Sequence, residues 1–258
     1  MRSIATGRIR VLVLGLGLGI ALGTIISARA DEPTAQELQD RLDELINGLD
    51  AYVHEDYATA LRILQPLADQ CVPIAQFELG DLYENGKGVD QNYKEAARWF
   101  QLAADKGYAD AQVELGFLYE NGNGVAKDYK KAVRWYRAAA EQGNAIAQYD
   151  LGISYENGRG VVQDYKAAAR WLIAAATKGD ADAQHLLGLY YIDGHGVARN
   201  YKEAARWLKA AAEQGQALAQ GMLGVLYWMP PRCLAWVVTK APCLAGGRYL
   251  PRSVSWFG

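Results

Sequence analysis

Few residues in this sequence could do covalent or metal chemistry, and their spacing argues against it. His185 and His195 lie ten residues apart, and His54 is far from both. Two helical metal ligands need i and i+4 to share a face, and no His-Glu-x-x-His occurs. Cys71, Cys233 and Cys243 have none of the paired spacings that hold zinc. Cys233 and Cys243 could instead bridge in an oxidising compartment, which leaves Cys71 as a small buried hydrophobe. Beyond residue 30 the only serines are Ser154, Ser253 and Ser255, and no Ser-x-x-Lys is formed there. Carboxylates are plentiful, but Glu84, Glu120 and Glu156 recur at a fixed step, as do Lys94, Lys130, Lys166 and Lys202. A charge that returns in each copy reads as a solvated or salt-bridged helix face, not as a catalytic pair. Gly86-x-Gly88 lacks the preceding strand and the following Lys-Ser/Thr of a phosphate loop. These residues predict no catalytic group, no metal and no cofactor.

The charges recur because the chain copies itself. The stretch from Ala75 to Asp110 returns every 36 residues, so that Gly80, Gly116, Gly152, Gly188 and Gly224 form one column and Trp99, Trp135, Trp171 and Trp207 another. A fixed period of this size marks a stacked-repeat architecture. Within one copy, Ala75, Leu79, Leu82 and Tyr83 share a helix face, and that helix should stop at Asn85-Gly86, where glycine accepts left-handed backbone. Asn92 then opens a second helix; its column continues as Asp128, Asp164 and Asn200, all N-capping types. Glu95 and Glu203, three residues on, predict capping boxes in two copies. Ala96, Trp99, Ala103 and Ala104 make this helix's apolar face. Neither helix can bury its stripe alone, so each copy must lean on its neighbours. The tryptophans are expected where a copy's two helices meet the next copy's first helix. Ser154 falls in the Leu82 column and reads as a core substitution.

The pattern Ala-Gln-x-x-Leu-Gly-x-x-Tyr-x-x-Gly-x-Gly-Val, followed by Asp/Asn-Tyr-x-x-Ala-x-x-Trp-x-x-x-Ala-Ala, resembles the Sel1-like repeat. This is the longer-looped branch of the tetratricopeptide superfamily, and the likeness runs over roughly residues 56–228. It implies an all-α, right-handed α-solenoid of two-helix repeats with a concave, partner-binding inner face. The function it implies is a non-catalytic scaffold or adaptor for protein–protein interaction, not an enzyme. The alternative is a peptidoglycan- or β-lactam-interacting, β-lactamase-like enzyme, a description borne by cysteine-rich relatives. Those relatives carry a Cys pair in each repeat, which this chain lacks.

The ends differ from the repeats. Residues 1–30 join a basic start (Arg2, Arg8, Arg10), an apolar core and Ala28-Arg29-Ala30, the layout of a secretory signal peptide; an uncleaved membrane anchor is the competing reading. Export to a Gram-negative periplasm is the expectation, with secretion as the other route. Residues 31–55 read as an N-terminal capping helix. Residues 56–228 hold about four full repeats with partial end units, the last being a lone first helix at Ala217–Trp228. Residues 229–258 carry four prolines and no acid, and resemble an out-of-frame or disordered tail; a docking tail is the alternative. An under-capped end of this kind invites self-association. The formal charge of −2 becomes −10 on residues 31–228 once the four Arg of residues 1–30 and Arg232, Lys240, Arg248 and Arg252 are set aside. An acidic surface repels phosphate, which excludes nucleic acid as a partner, and leaves a protein or peptide.

A binding face is read from the columns that vary between copies. Phe77, Val113, Tyr149 and His185 occupy one, and Asp81, Phe117, Ile153 and Leu189 its i+4 neighbour. With Glu114 and Asp150 beside them, they predict a stripe of apolar anchors with acidic flanks, suited to an extended or helical peptide with basic flanks. The alternative is that the stripe packs on the neighbouring copy.

Overall fold

The computed structural model describes residues 34–228, with Leu244–Ala245 and Arg248–Tyr249. The signal-like segment, Cys233, Cys243 and most of the tail lie outside these residues. Eleven helices are described: α1 (Ala35–Val53), α2 (Tyr57–Asp69), α3 (Pro73–Asn85), α4 (Tyr93–Asp105), α5 (Ala109–Asn121), α6 (Tyr129–Glu141), α7 (Ala145–Asn157), α8 (Tyr165–Thr177), α9 (Ala181–Asp193), α10 (Tyr201–Glu213) and α11 (Ala217–Trp228). Among the described residues the one departure from all-α structure is a two-residue antiparallel ladder pairing β1 (Leu244–Ala245) with β2 (Arg248–Tyr249). No described helix is long and apolar enough to cross a membrane. The chain forms two compact units, residues up to 111 with 123–125, and residues 112–122 with 126 onward.

Each second helix starts as its sequence predicts. Asn92, Asp128, Asp164 and Asn200 are extended, and each side chain accepts from the next two free backbone N–H groups. The expected capping boxes at Glu95 and Glu203 do not form. The Asn92 N–H already donates to the Tyr83 carbonyl at 2.8 Å, and the Asn200 N–H to Tyr191 at 2.8 Å. Glu95 and Glu203 turn instead to Arg98 and Arg206 one turn on. The complete box is at Thr34 and Glu37, which open α1. First helices end on left-handed glycines, Gly86, Gly158 and Gly194.

In the first unit the core joins Leu49 of α1, Leu64 and Leu67 of α2, Leu79 and Leu82 of α3, and Trp99 of α4. In the second, Trp207 of α10 packs with Leu172 of α8 and Leu187 and Tyr190 of α9. Trp99 and Trp207 therefore each share their core with the preceding copy's second helix. Trp99 and Trp207 are 4% and 9% exposed, whereas Trp135 and Trp171 are half-buried. The arginine before each of Trp99, Trp135 and Trp207 lays its guanidinium over the indole. The deeper position is the next residue: Phe100, Tyr136, Leu172 and Leu208 are all fully buried. Each lies on the Gly column, so that a Cβ at Gly80 would sit 2.4 Å from the Phe100 ring and one at Gly188 2.6 Å from Leu208.

Two contacts tie one copy to the copy before it. A Cβ on Gly160 or Gly196 would sit 2.2 or 2.0 Å from the Tyr129 or Tyr165 carbonyl oxygen. The second glycine of Gly-x-Gly is thus a close backbone approach. The buried glutamine column donates to the preceding helix's last turn, Gln76 to Ala68 at 3.0 Å, Gln148 to Ala140 at 3.1 Å and Gln184 to Ala176 at 3.1 Å. Each of these carbonyls also accepts the backbone N–H of the residue three on, in the turn that closes the helix. Cys71 takes the place of this turn's glycine in the earliest copy. It is exposed and left-handed (φ 71°), not a buried hydrophobe.

Candidate protein-binding face

The loop residue inside Gly-x-Gly reaches back to the preceding copy. In the first unit, Lys87 Nζ lies 3.0 Å from Asp81 Oδ2 and donates to the Tyr52 hydroxyl at 2.9 Å. Tyr52 donates in turn to Asp81, and burial with that aspartate beside it pushes its phenol well above the ordinary value. In the second unit, Arg159 donates to Glu120 at 3.2 Å, and the same carboxylate accepts from Tyr136 at 2.9 Å. His195 stacks on Tyr165 with ring centres 4.9 Å apart. Asp81 and Glu120 thus clasp helices together.

The expected stripe is placed unevenly. In the first unit, Phe77 is half-buried, its ring 5.7 Å from Phe100 and 5.3 Å from Tyr108, while Asp81 is held by Tyr52, Lys87 and Asn85. In the second unit, Val113 is 3% exposed and belongs to the interior, so it offers no surface. Glu114 and Phe117 on α5 and Asp150 and Ile153 on α7 are half-buried. Tyr149 packs on the core of α8, α9 and α10. Burial, with Asp182 and Asp150 close by, pushes its phenol up to about 12. His185 is half-buried, which lowers its basicity against the opposing pull of Asp182. Leu189 packs on the Ile192–Leu208 cluster. None of the ten is fully exposed. Ser154 is buried and donates to the Asp150 carbonyl at 2.9 Å, as a core substitution does.

Three residues beside the stripe were missed. Glu78, 7% exposed on α3, lies near Asp81, with Tyr52 and Tyr108 both close enough to feel its charge. The available signal was an acid at a helix position flanked by Phe77 and Leu79. Elsewhere, an open depression of about 680 Å³ in the second unit lies between Tyr155, Val162, Tyr165 and Gly196. At the last described helix, Leu218 is 67% exposed and Val225 36%.

The family model of the Sel1 repeat matches residues 73–108, 109–144, 145–180 and 181–216. Among solved structures, a Sel1 repeat protein from Oxalobacter formigenes is 37% identical, with 71% of this chain and 75% of that one covered, at a TM-score of 0.67. The protein c5321, described as a protective antigen of uropathogenic Escherichia coli with an SLR fold, is 33% identical at a TM-score of 0.70. That match covers 80% of this chain and 44% of c5321. A comparison with curated proteins gave no match.

Proposed function

This chain belongs to the Sel1 repeat family, whose members generally act as scaffolds for protein interaction, and from that premise we propose that it is a non-catalytic adaptor of the cell envelope. It binds a partner protein or peptide along the half-buried aromatic and acidic side chains of its first helices. The observation that carries this reading is the use made of the reactive side chains. Glu120 is held by Tyr136 and Arg159, Asp81 by Tyr52 and Lys87, and Ser154 by its own helix. Groups committed to holding helices together are poor nucleophiles and poor bases, because reacting would break the clasp.

Affinity capture from envelope extract, with Tyr149→Ala and Phe117→Ala as comparisons, tests the adaptor reading. A hot-spot aromatic should cost at least about 2 kcal/mol in partner binding. Nitrocefin turnover by the purified chain would favour the β-lactamase-like alternative and defeat this one. Export follows from the signal-like residues 1–30, and protein sequenced from the envelope fraction should begin at Asp31. An unprocessed cytoplasmic species would refute export.

A further inference from the structure

Glu78 is buried, yet no described group hydrogen-bonds to its carboxylate; only burial and nearby charge act on it. Asp81 of its own helix, Lys87 of the following loop and Asp110 at the start of α5 all face it. Tyr52 of α1 and Tyr108 of the turn before α5 also feel its charge. The chain itself shows how this place receives a cation. Lys87 Nζ sits on Asp81 and on the Tyr52 hydroxyl, above the Tyr52 and Tyr57 rings at 5.0 and 5.7 Å. That lysine is committed to Asp81, and Glu78 has no cation of its own. No three such side chains among the described residues lie close enough to hold a metal ion. The arrangement suits an organic cation, which hydrogen-bonds one carboxylate while lying against aromatic rings.

We propose that Glu78, one turn from the Tyr52-bound Asp81 on α3 and next to Phe77, on which Tyr108 packs, is a subsite for one arginine or lysine side chain of the partner protein. It rests on the adaptor reading and gives that reading its chemistry: the partner's docking segment is basic. Burial and the two neighbouring aspartates push Glu78 up to about 8. The carboxyl therefore holds a proton at neutral pH while the subsite is empty. Forming the ion pair breaks that O–H bond and delivers the proton to the buffer, so binding releases a proton.

Titration calorimetry of the full chain with an acetylated, amidated Ala-Arg-Ala-Arg-Ala peptide tests this at about pH 7 in two buffers of different ionisation enthalpy. The expected result is binding with release of about one proton. Replacing arginine by citrulline, which is neutral and similar in shape, should abolish it. Glu78→Gln should weaken binding about tenfold or more and remove the buffer dependence. Glu78→Leu, which copies Leu186 of the fourth repeat, should do the same, with thermal unfolding showing both variants folded. Unchanged affinity in both variants, equal binding of the citrulline peptide, no binding of the arginine peptide, or equal competition by spermidine would each overturn the subsite. If both variants capture the envelope partner as tightly as wild type, the subsite fails and the adaptor stands. If wild type captures no protein, the adaptor reading itself fails.

Discussion

Gln148 is the most informative place to test how the copies are joined. Its Nε2 donates to Ala140, but its Oε1 is buried with no partner. The equivalent oxygens of Gln112 and Gln184, in the same unit, each accept from a glutamine at 2.8 Å, Gln142 and Gln214. At the Gln148 junction the corresponding residue is Lys178, which reaches past to the Gly143 carbonyl at 2.6 Å. Lysine has donors enough, but its Nζ serves the neighbouring loop. Lys178→Gln should therefore close the bond that the flanking junctions already have. An unsatisfied buried acceptor costs about 1–3 kcal/mol, and the surface bond given up is worth about 1 kcal/mol, since water can replace it. The net expectation is a gain of up to about 2 kcal/mol. For a chain of this size that corresponds to at most roughly 8 °C in Tm. Urea and thermal unfolding of Lys178→Gln read the gain, and Gln142→Lys should lose a comparable amount. If Lys178→Gln is neutral or destabilising while Gln142→Lys is harmless, the Gln–Gln bond does not stabilise the junction and the reasoning is wrong.

The remaining expectations concern single columns. Gly80→Ala puts a methyl 2.4 Å from the Phe100 ring, and should cost about 1–3 kcal/mol by overpacking; Gly152→Ala, with Leu172 at 3.0 Å, should cost less in the same urea titration. Cys71→Gly relieves a left-handed non-glycine at φ 71° and should raise the unfolding free energy read by urea titration, by up to about 1–2 kcal/mol. Glu78 is raised from 4.5 to about 8, so the folded chain keeps a proton that the unfolded chain releases across that window. Stability therefore falls as pH rises from about 4.5 to 8 and levels off above it. Glu78→Gln should flatten that slope, a difference on the order of a few kcal/mol at alkaline pH, and an unchanged slope would show that Glu78 is solvated.

The helices, their caps and the repeat period were legible because each is set by a local pattern: Asn92 and its column, the glycines at 86 and 88, the apolar faces. What was not legible is what each column touches. Glu95 had the spacing of a capping box, but the Tyr83 carbonyl from the previous helix had already taken the N–H it needed. The tryptophans were expected at the junction of the helices, yet Phe100 is the side chain pressed on Gly80, because a period of 36 does not say which neighbour a face meets. Variation was also a poor guide to function. Val113 varies and is interior, and the column Lys106, Gln142, Lys178, Gln214 varies while doing structural work at every copy: Lys106 and Lys178 donate to the Cys71 and Gly143 carbonyls, Gln142 and Gln214 to buried glutamines. A changing residue can thus be a second solution to the same packing problem. A better criterion is a side chain whose column fails to explain its surroundings. Glu78 meets it: its equivalents Glu114 and Asp150 are only half-buried and Leu186 is uncharged, whereas Glu78 is buried as an acid with no hydrogen bond. Packing alone would have placed a leucine there, so the retained carboxyl points to something that the repeat does not contain.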